Sequence, residues 1–351
     1  MLRPEFFQSI VEPAATRPKL FVIVDTEEEF DWSAPFAREN VSVTAIPEAV
    51  RLQRTVEPFG LKPTYVVDYP VAATTSAAQV LASFAHDDRC QIGAHLHPWV
   101  TPPFDEPLTP RMSFGINLGS KIEHAKIARL TETIVSNMGV RPRIYKAGRY
   151  GFGESTATIL ESLGYDIDAS VIPHMDFSHE DGPDFSGFNP RPATFGKARR
   201  LLELPCTVGF TGAARKMGES LHRAASASWL QPMRAVGILA RTGTLNKVML
   251  SPEGNTLDEM KALTRSLHQD GLRSFALTFH SPSLKPGCTR YVRTQAELDA
   301  FLGTIDRFCD FFFGELGGEP TTADDLFDNL VAHGRGSGHP LPNSPIPSLQ
   351  S

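Results

Sequence analysis

Three observations on the sequence predict an α/β fold built on a mostly parallel sheet. Short apolar runs typical of buried strands alternate with longer amphipathic segments along most of the 351 residues. About eight such strand–helix units favour a closed barrel over an open sheet. Polar and titratable side chains gather at the C-terminal ends of the strand candidates, where barrels of parallel strands carry their catalytic groups.

The individual elements follow from local patterns, taken in chain order. Apolar runs bounded by turn signals predict strands at 20–25, 63–68, 91–97, 143–148, 166–170, 201–204, 247–251 and 274–280. Helical periodicity predicts helices at 46–58, 76–86, 120–138, 154–163, 216–239, 256–269 and 294–316. The segment from Ser120 shows the full pattern, with a serine cap, apolar residues near a 3.6-residue period, and Gly139 as its stop.

Composition bounds the class of protein. An apolar fraction of 41% and a charged fraction of 21% are ordinary for a soluble globular chain. The net charge of -6, without any Lys/Arg-rich run, argues against nucleic acid as a partner. No stretch approaches the roughly 18 apolar residues of a membrane span, and the N-terminus lacks signal-peptide features. The expected location is therefore cytoplasmic, and the four scattered cysteines are expected to be reduced.

We expect three regions along the chain. Residues 1–18 form an N-terminal extension and residues 19–317 form the barrel domain. Residues 318–351 form a C-terminal extension, which is rich in Pro, Gly and Ser from about residue 334 and is expected to be a disordered tail there.

Two clusters of ligand-type residues close two of the strand candidates. Asp25 and Glu27 end the first, and His95 and His97 end the third. Side chains two apart on a strand point to the same face, so each pair projects together. Two carboxylates and two imidazoles suit a first-row divalent cation with an open position. The pattern indicates metal-assisted hydrolysis.

These clusters and four further segments resemble the NodB-homology polysaccharide deacetylases over roughly residues 19–317. The two acids flank Thr26 where the common family motif has adjacent acids, and the histidines are two apart rather than four. With these spacings, the sequence is similar to a divergent branch of the family, named after WalW, that is associated with lipopolysaccharide biosynthesis. The matching segments are Val24-Asp-Thr-Glu27, Gly93-Ala-His-Leu-His-Pro98, Ala147-Gly-Arg-Tyr-Gly151, Leu163-Gly-Tyr-Asp-Ile-Asp-Ala-Ser170, Leu201-Leu-Glu-Leu-Pro205 and Leu277-Thr-Phe-His280.

The resemblance implies a distorted (β/α) barrel of seven to eight parallel strands. It also implies a metal-dependent hydrolase that removes an acyl group, with acetyl expected, from an amino sugar, glycan or polysaccharide precursor. One divalent cation is implied, with Zn²⁺ the first choice and Ni²⁺, Co²⁺ or Fe²⁺ compatible.

The resemblance also assigns roles to single residues. Asp25 is the general base, Arg149 orients it, and His280 is the general acid. The implied cation ligands are Glu27, His95 and His97. Substrate contacts are expected from Tyr150, whose turn with Gly151 supplies a backbone N–H, and from Trp99 and Trp32, each of which either stacks on a sugar ring or packs in the core.

Other functions stay open. A catalytically silent sugar-binding or assembly protein with the same fold, and an amidase acting on a small non-sugar amide, both fit the motifs. A barrel glycosidase using Asp25 and another carboxylate fits less well, because it leaves the two histidines without a role. The expected partner is a carbohydrate or a small amide. The neighbouring acids Glu28, Glu29 and Asp31 are expected on a solvated loop face.

Overall fold

A computed structural model of the chain describes residues 3–31, 34–198, 200–225 and 235–332. The disordered tail predicted from residue 334 lies outside these residues. No described helix has the length and apolar character needed to cross a bilayer.

The strands form one large sheet and one small hairpin. They are β1 (Gln8–Ser9), β2 (Lys19–Thr26), β3 (Thr64–Val67), β4 (Gln91–Leu96), β5 (Ile144–Ala147), β6 (Ile167–Asp168), β7 (Ala193–Phe195), β8 (Leu201–Glu203), β9 (Val208–Thr211), β10 (Asn246–Met249), β11 (Ser274–His280) and β12 (Glu319–Pro320). The large sheet has the order β1-β7-β8-β6-β5-β4-β3-β2-β11, and β12 also pairs with β2. The hairpin consists of β9 and β10.

Most of the helices pack on one face of the large sheet, and the last helix packs against the other face. The helices are α1 (Ala49–Val56), α2 (Tyr69–Ala73), α3 (Thr75–His86), α4 (Ser120–Met138), α5 (Glu154–Leu163), α6 (Gly218–Ala225), α7 (Ala235–Arg241), α8 (Leu257–Gln269), α9 (Gln295–Asp310) and α10 (Ala323–Phe327). The helices α4 and α5 occupy the predicted ranges. Capping boxes at Thr256 and Thr294 begin α8 and α9, because each hydroxyl accepts the N–H of the glutamate three residues on.

The large sheet is curled and mixed, so the predicted barrel of seven to eight parallel strands is only partly right. Pairing is parallel from β8 through β6, β5, β4, β3 and β2 to β11, but β7 and β1 add an antiparallel edge. The segment predicted as a strand at 247–251 leaves this sheet and pairs with β9 instead. Among the described residues β8 and β11 do not pair directly.

The residues flanking the hairpin connect it to β11. Ala276 donates its backbone N–H to Thr207 Oγ1 at 2.8 Å, and Thr278 donates to the Leu250 carbonyl at 3.1 Å. Leu250 in turn donates to the Thr207 carbonyl at 2.8 Å. These bonds give the backbone N–H groups of Ala276 and Thr278, at the edge of β11, acceptors that a further parallel strand would otherwise supply.

Strand alternation separates a helix-covered face from a barrel interior, and this places the polar site. On β2, Val22 and Val24 pack in the core under the helices, whereas Phe21 and Ile23 belong to the interior cluster. Asp25 is next on that interior face. The interior cluster also includes Ala323 and Leu326 around α10, so the interior below Asp25 is apolar and filled.

Gly93 brings the histidine strand close to its neighbours. A Cβ added at Gly93 would lie 2.6 Å from Ile144 Cγ2 and 2.7 Å from Val66 Cγ1, well inside any real contact. The residue two places on from Gly93, on the same face, is His95. The absence of a side chain at 93 therefore lets β3, β4 and β5 close up beneath the imidazole.

Candidate metal centre and active site

Five of the predicted site residues converge where the parallel strands end. Asp25 lies near the end of β2, and the register of β11 sets His280 directly beside it. The strand β3 lies between β2 and β4 in the sheet, and β4 carries His95. Glu27 is the first residue after β2, and His97 is the first residue after β4. All of these side chains except that of His280 are buried.

Three ligand-type side chains face one another at this point. Glu27 Oε2 lies 3.5 Å from His95 Nε2 and 3.3 Å from His97 Nε2. The two imidazole ring centroids are 4.6 Å apart. One ligand atom from each residue falls within 4.8 Å of the other two, so a single cation can contact all three.

The hydrogen bonds at Nδ1 of the two imidazoles make these three side chains suitable ligands for a divalent cation. His95 Nδ1 lies 3.0 Å from the Lys146 carbonyl oxygen, and His97 Nδ1 lies 2.7 Å from Glu28 Oε2. Both partners are acceptors, so each Nδ1 carries a proton, and Nε2 is the atom through which each ring would bind a cation beside Glu27. Two neutral imidazole nitrogens and one carboxylate are ligands that zinc and its neighbours prefer.

Gly148 allows the His97 ring to reach this position. A Cβ on Gly148 would lie 2.4 Å from the Leu96 carbonyl oxygen and 2.5 Å from His97 Cδ2. Any other residue at 148 would push the imidazole away from Glu27.

Asp25 is held by a lysine that the sequence analysis did not single out. Lys146 Nζ donates to both carboxylate oxygens of Asp25 at 2.7 Å, and both side chains are buried. Burial alone would raise the pKa of Asp25, but the charge of Lys146, with those of His95 and His280, outweighs it and lowers the pKa. Asp25 is therefore ionised at neutral pH.

Arg149 does not orient Asp25, which corrects the role assigned to it. Its guanidinium bonds Ser113 Oγ at 2.6 Å, pairs with Glu180, and lies 4.0 Å from the Phe114 ring centroid; Asp25 is not among its contacts in the described chain. Arg149 has a φ of 52°, so the backbone turns left-handed directly after β5, and the side chain meets Ser113, Phe114 and Glu180 instead of Asp25. The available signal was the position of Lys146, which shares a strand face with buried Ile144.

His280 is paired with a glutamate that no sequence pattern indicated. Its Nδ1 lies 2.7 Å from Glu253 Oε2, and its Nε2 lies 3.7 Å from Asp25 Oδ2. Glu253 is buried and also accepts from Ser283 Oγ at 2.5 Å. Burial would lower the pKa of His280, but the charges of Glu253 and Glu27 outweigh it and raise the pKa to about 10. The imidazole is 30% exposed, so it reaches solvent from the mouth.

Trp99 packs in the core, the second of the two roles expected of it, and is not placed to stack on a sugar. Only 1% of the residue is exposed, and its ring stacks on His97 with centroids 4.3 Å apart and planes 25° apart. Glu28, expected on a solvated face, is fully buried and accepts from Trp99 Nε1 at 2.9 Å. Trp99 and Glu28 both contact the His97 ring and hold it in place.

The remaining predicted substrate contacts have different outcomes. Tyr150 is partly buried, stacks on Phe177 at 5.7 Å, and has its ring centroid 5.6 Å from Lys146 Nζ. The N–H of Gly151 donates to the Gly148 carbonyl at 3.0 Å, so it is not available to an oxyanion. Trp32 lies outside the described residues.

Comparison with known proteins identifies the fold. No protein-family model and no curated protein matches the chain. A Mycobacterium smegmatis protein provisionally described as a polysaccharide deacetylase matches with a TM-score of 0.52 and 15% identity, covering 93% of this chain and 94% of its own. A carbohydrate esterase family 4 pseudoenzyme from Bacillus anthracis has a TM-score of 0.41 at 10% identity, with coverage of 89% and 66%. A family 4 carbohydrate esterase from Streptomyces lividans has 0.41 at 11%, with coverage of 87% and 93%. The chain therefore shares its fold with the Mycobacterium smegmatis protein.

The pairing of Asp25 with Lys146 predicts an effect on the pKa of Asp25. Lys146→Met should raise this pKa, because burial then acts without the cation that offsets it. A pH titration of the Asp25 carboxyl carbon by ¹³C NMR, on metal-free protein, measures the shift. Arg149→Met is the matched control and should leave the Asp25 pKa unchanged. A shift in the Arg149 variant alone would contradict the assignment.

Proposed function

We propose that this chain is a metal-dependent hydrolase that removes an acyl group, acetyl by preference, from an amino sugar or glycan precursor. The main support is the convergence of three groups at the barrel mouth. The ligand set is Glu27, His95 and His97. Beside it lie the Asp25 carboxylate, paired with Lys146, and the His280 imidazole, paired with Glu253. A deacetylase needs a Lewis acid, a base and an acid within reach of one acyl carbon, and the site offers candidates for all three.

Glu27, His95 and His97 would hold the cation, and Zn²⁺ is the ion we propose for this donor set. When bound, a divalent cation supplies a Lewis acid that polarises the acyl carbonyl and makes water easier to deprotonate.

Asp25 is placed to accept a proton from the attacking water. Lys146 keeps the carboxylate ionised and fixes both of its oxygens, so the free lone pairs point from a rigid position. His280 lies on the neighbouring strand, and its Nε2 is 3.7 Å from Asp25 Oδ2. The base and the acid therefore flank one small space.

His280 is placed to donate a proton to the leaving group. Glu253 accepts from Nδ1 and stabilises the imidazolium, which leaves the Nε2 proton for the departing amine or alkoxide. Asp25 takes one proton of the attacking water, whose oxygen bonds the acyl carbon. The bond from that carbon to the leaving group then breaks, and the leaving group departs neutral with the His280 proton. The carboxylic acid formed releases the second proton of the water to solvent and becomes a carboxylate. Amides need this acid more than esters with good leaving groups do.

The finer identity of the substrate rests on the motif resemblance. The WalW-like pattern of the acids and histidines is that of a branch associated with lipopolysaccharide biosynthesis, and we propose an amino sugar or glycan precursor as the substrate. Acetate release from N-acetylated amino sugars, compared with release from O-acetyl esters and small amides, tests this directly. A wild-type chain that binds metal but releases no acetate from any of them would indicate the silent sugar-binding alternative.

The site predicts that base and ligand respond differently to substitution. Asp25→Asn should retain bound metal and lose acetate release by about a hundredfold or more, the scale of a general base. His97→Ala should lose the metal itself, because two ligands remain of three. Elemental analysis of protein purified without chelator, beside the acetate assay, separates the two. Loss of metal in Asp25→Asn would make Asp25 a ligand and refute its role as base.

The Glu253–His280 pair predicts a shift in the pH profile. Glu253 raises the pKa of His280, so Glu253→Gln should lower that pKa and move the alkaline limb of kcat/KM to lower pH. The acid limb should stay in place, because it reports Asp25. Glu259→Gln, on the first turn of α8, is the matched control and should leave both limbs unchanged. An alkaline limb that does not move in Glu253→Gln would show that His280 is not the acid.

A further inference from the structure

The Glu28 carboxylate lies between two aromatic N–H groups at the back of the metal centre. Its Oε2 is 2.7 Å from His97 Nδ1, and its Oε1 accepts from Trp99 Nε1 at 2.9 Å. The side chain of Glu28 is 0% exposed. A carboxylate can only accept, so both ring nitrogens donate to it, one to each oxygen.

A backbone hydrogen bond to Asp68 fixes the position of Glu28 itself. Its backbone N–H donates to Asp68 Oδ2 at 2.8 Å. The other oxygen of Asp68 accepts the N–H of Val71 at 2.8 Å, as the cap of α2. Glu28 is thereby attached to the end of β3, and the stacked Trp99 ring prevents the His97 ring from rotating. The arrangement leaves His97 one orientation.

The same residues do not form a second cation site. Glu28 Oε2 and His97 Nδ1 are at hydrogen-bond distance, whereas two ligands of one tetrahedral zinc ion stand about 3.3 Å apart. His97 Nδ1 also lies 4.0 Å from Asp68 Oδ2. A proton on Nδ1 occupies the space between the ring and Glu28, which leaves Nε2 as the atom free to bind a cation beside Glu27.

We propose that Glu28 is a positioning residue for the metal centre, which fixes the tautomer and the ring orientation of His97 through the Trp99–Glu28–His97 hydrogen bonds. The proposal rests on the cation site of the proposed function. Partners of this kind change metal affinity by about 10- to 100-fold when removed. Trp99 Nε1 and His97 Nδ1 are both hydrogen-bond donors, so the side chain of residue 28 must offer two acceptor atoms.

Glu28→Gln tests this requirement with little change in shape. A glutamine offers one oxygen and one NH₂ group, so it cannot accept from both rings. If its NH₂ faces His97, Nδ1 must accept and the proton moves to Nε2, where a cation binds. If its NH₂ faces Trp99, two donors meet in a buried space. Titration of metal-free protein with Co²⁺, followed by absorption, should show a Kd weakened by about 10- to 100-fold.

A second substitution separates the tautomer from a general packing defect. Trp99→Phe removes the competing N–H, so in Glu28→Gln/Trp99→Phe the glutamine oxygen is free to accept from His97. The double variant should bind Co²⁺ more tightly than Glu28→Gln alone, which a packing defect would not produce. Glu29→Gln is the matched control: its carboxylate bonds Ser42 and Thr44 at 2.6 Å, away from the rings, and its Kd should equal that of the wild type.

The outcomes are distinguishable. Wild-type protein that binds no Co²⁺ would overturn the cation site and the proposed function with it. Wild-type protein that binds Co²⁺, with Glu28→Gln binding equally well, would overturn the positioning role alone. A double variant no tighter than Glu28→Gln would also overturn it, because relief of the donor clash would then have no effect. Melting curves recorded on the metal-free variants confirm that each is folded before titration.

Discussion

Four carboxylates at the mouth of the barrel, those of Asp25, Glu27, Glu28 and Glu253, lie almost entirely out of water. Buried charges are costly unless partners of opposite charge stand beside them. Lys146 supplies one such charge and the imidazolium of His280 supplies a second. The cluster is then short of two positive charges, and a divalent cation held by Glu27 and the two imidazoles would supply both.

The pKa of His97 reflects the same shortage. Burial would lower this pKa, but the charges of Glu28 and Glu27 outweigh burial and raise it well above the usual value. A proton on this ring therefore takes part of the place of the missing charge. A cation would displace it, and Glu28 would keep the other ring nitrogen protonated. Charge balance thus links the ligand set, the base and the acid into one unit.

The parts of the site that the sequence predicted are those that depend on strand periodicity. Asp25, His95 and His280 end apolar runs, and a period of two sets them on the interior face whatever the details of closure. The residues that support them were harder to find. Lys146 lies inside a strand, where a lysine ordinarily suggests a solvent-facing position, and Glu28 stands in an acidic run that resembles a solvated loop.

Long-range contacts account for the other differences. Glu253 follows β10 in a loop without periodic signal, and only the packing of that loop against β11 brings it to His280. The strand predicted at 247–251 has an ordinary apolar pattern, but its partner is β9 rather than the parallel sheet. Arg149 matches a family motif, yet its left-handed backbone sends its side chain elsewhere. Periodicity does not encode which strand is a neighbour or where a turn points.

The most direct test of the cation site is an anomalous difference map from crystals grown with Zn²⁺, collected on both sides of the zinc absorption edge. We predict one peak, about 2.0 to 2.2 Å from a Glu27 oxygen and from Nε2 of both His95 and His97. A map without a peak there, with Glu27 and the two imidazoles at the distances described above, would contradict the cation site.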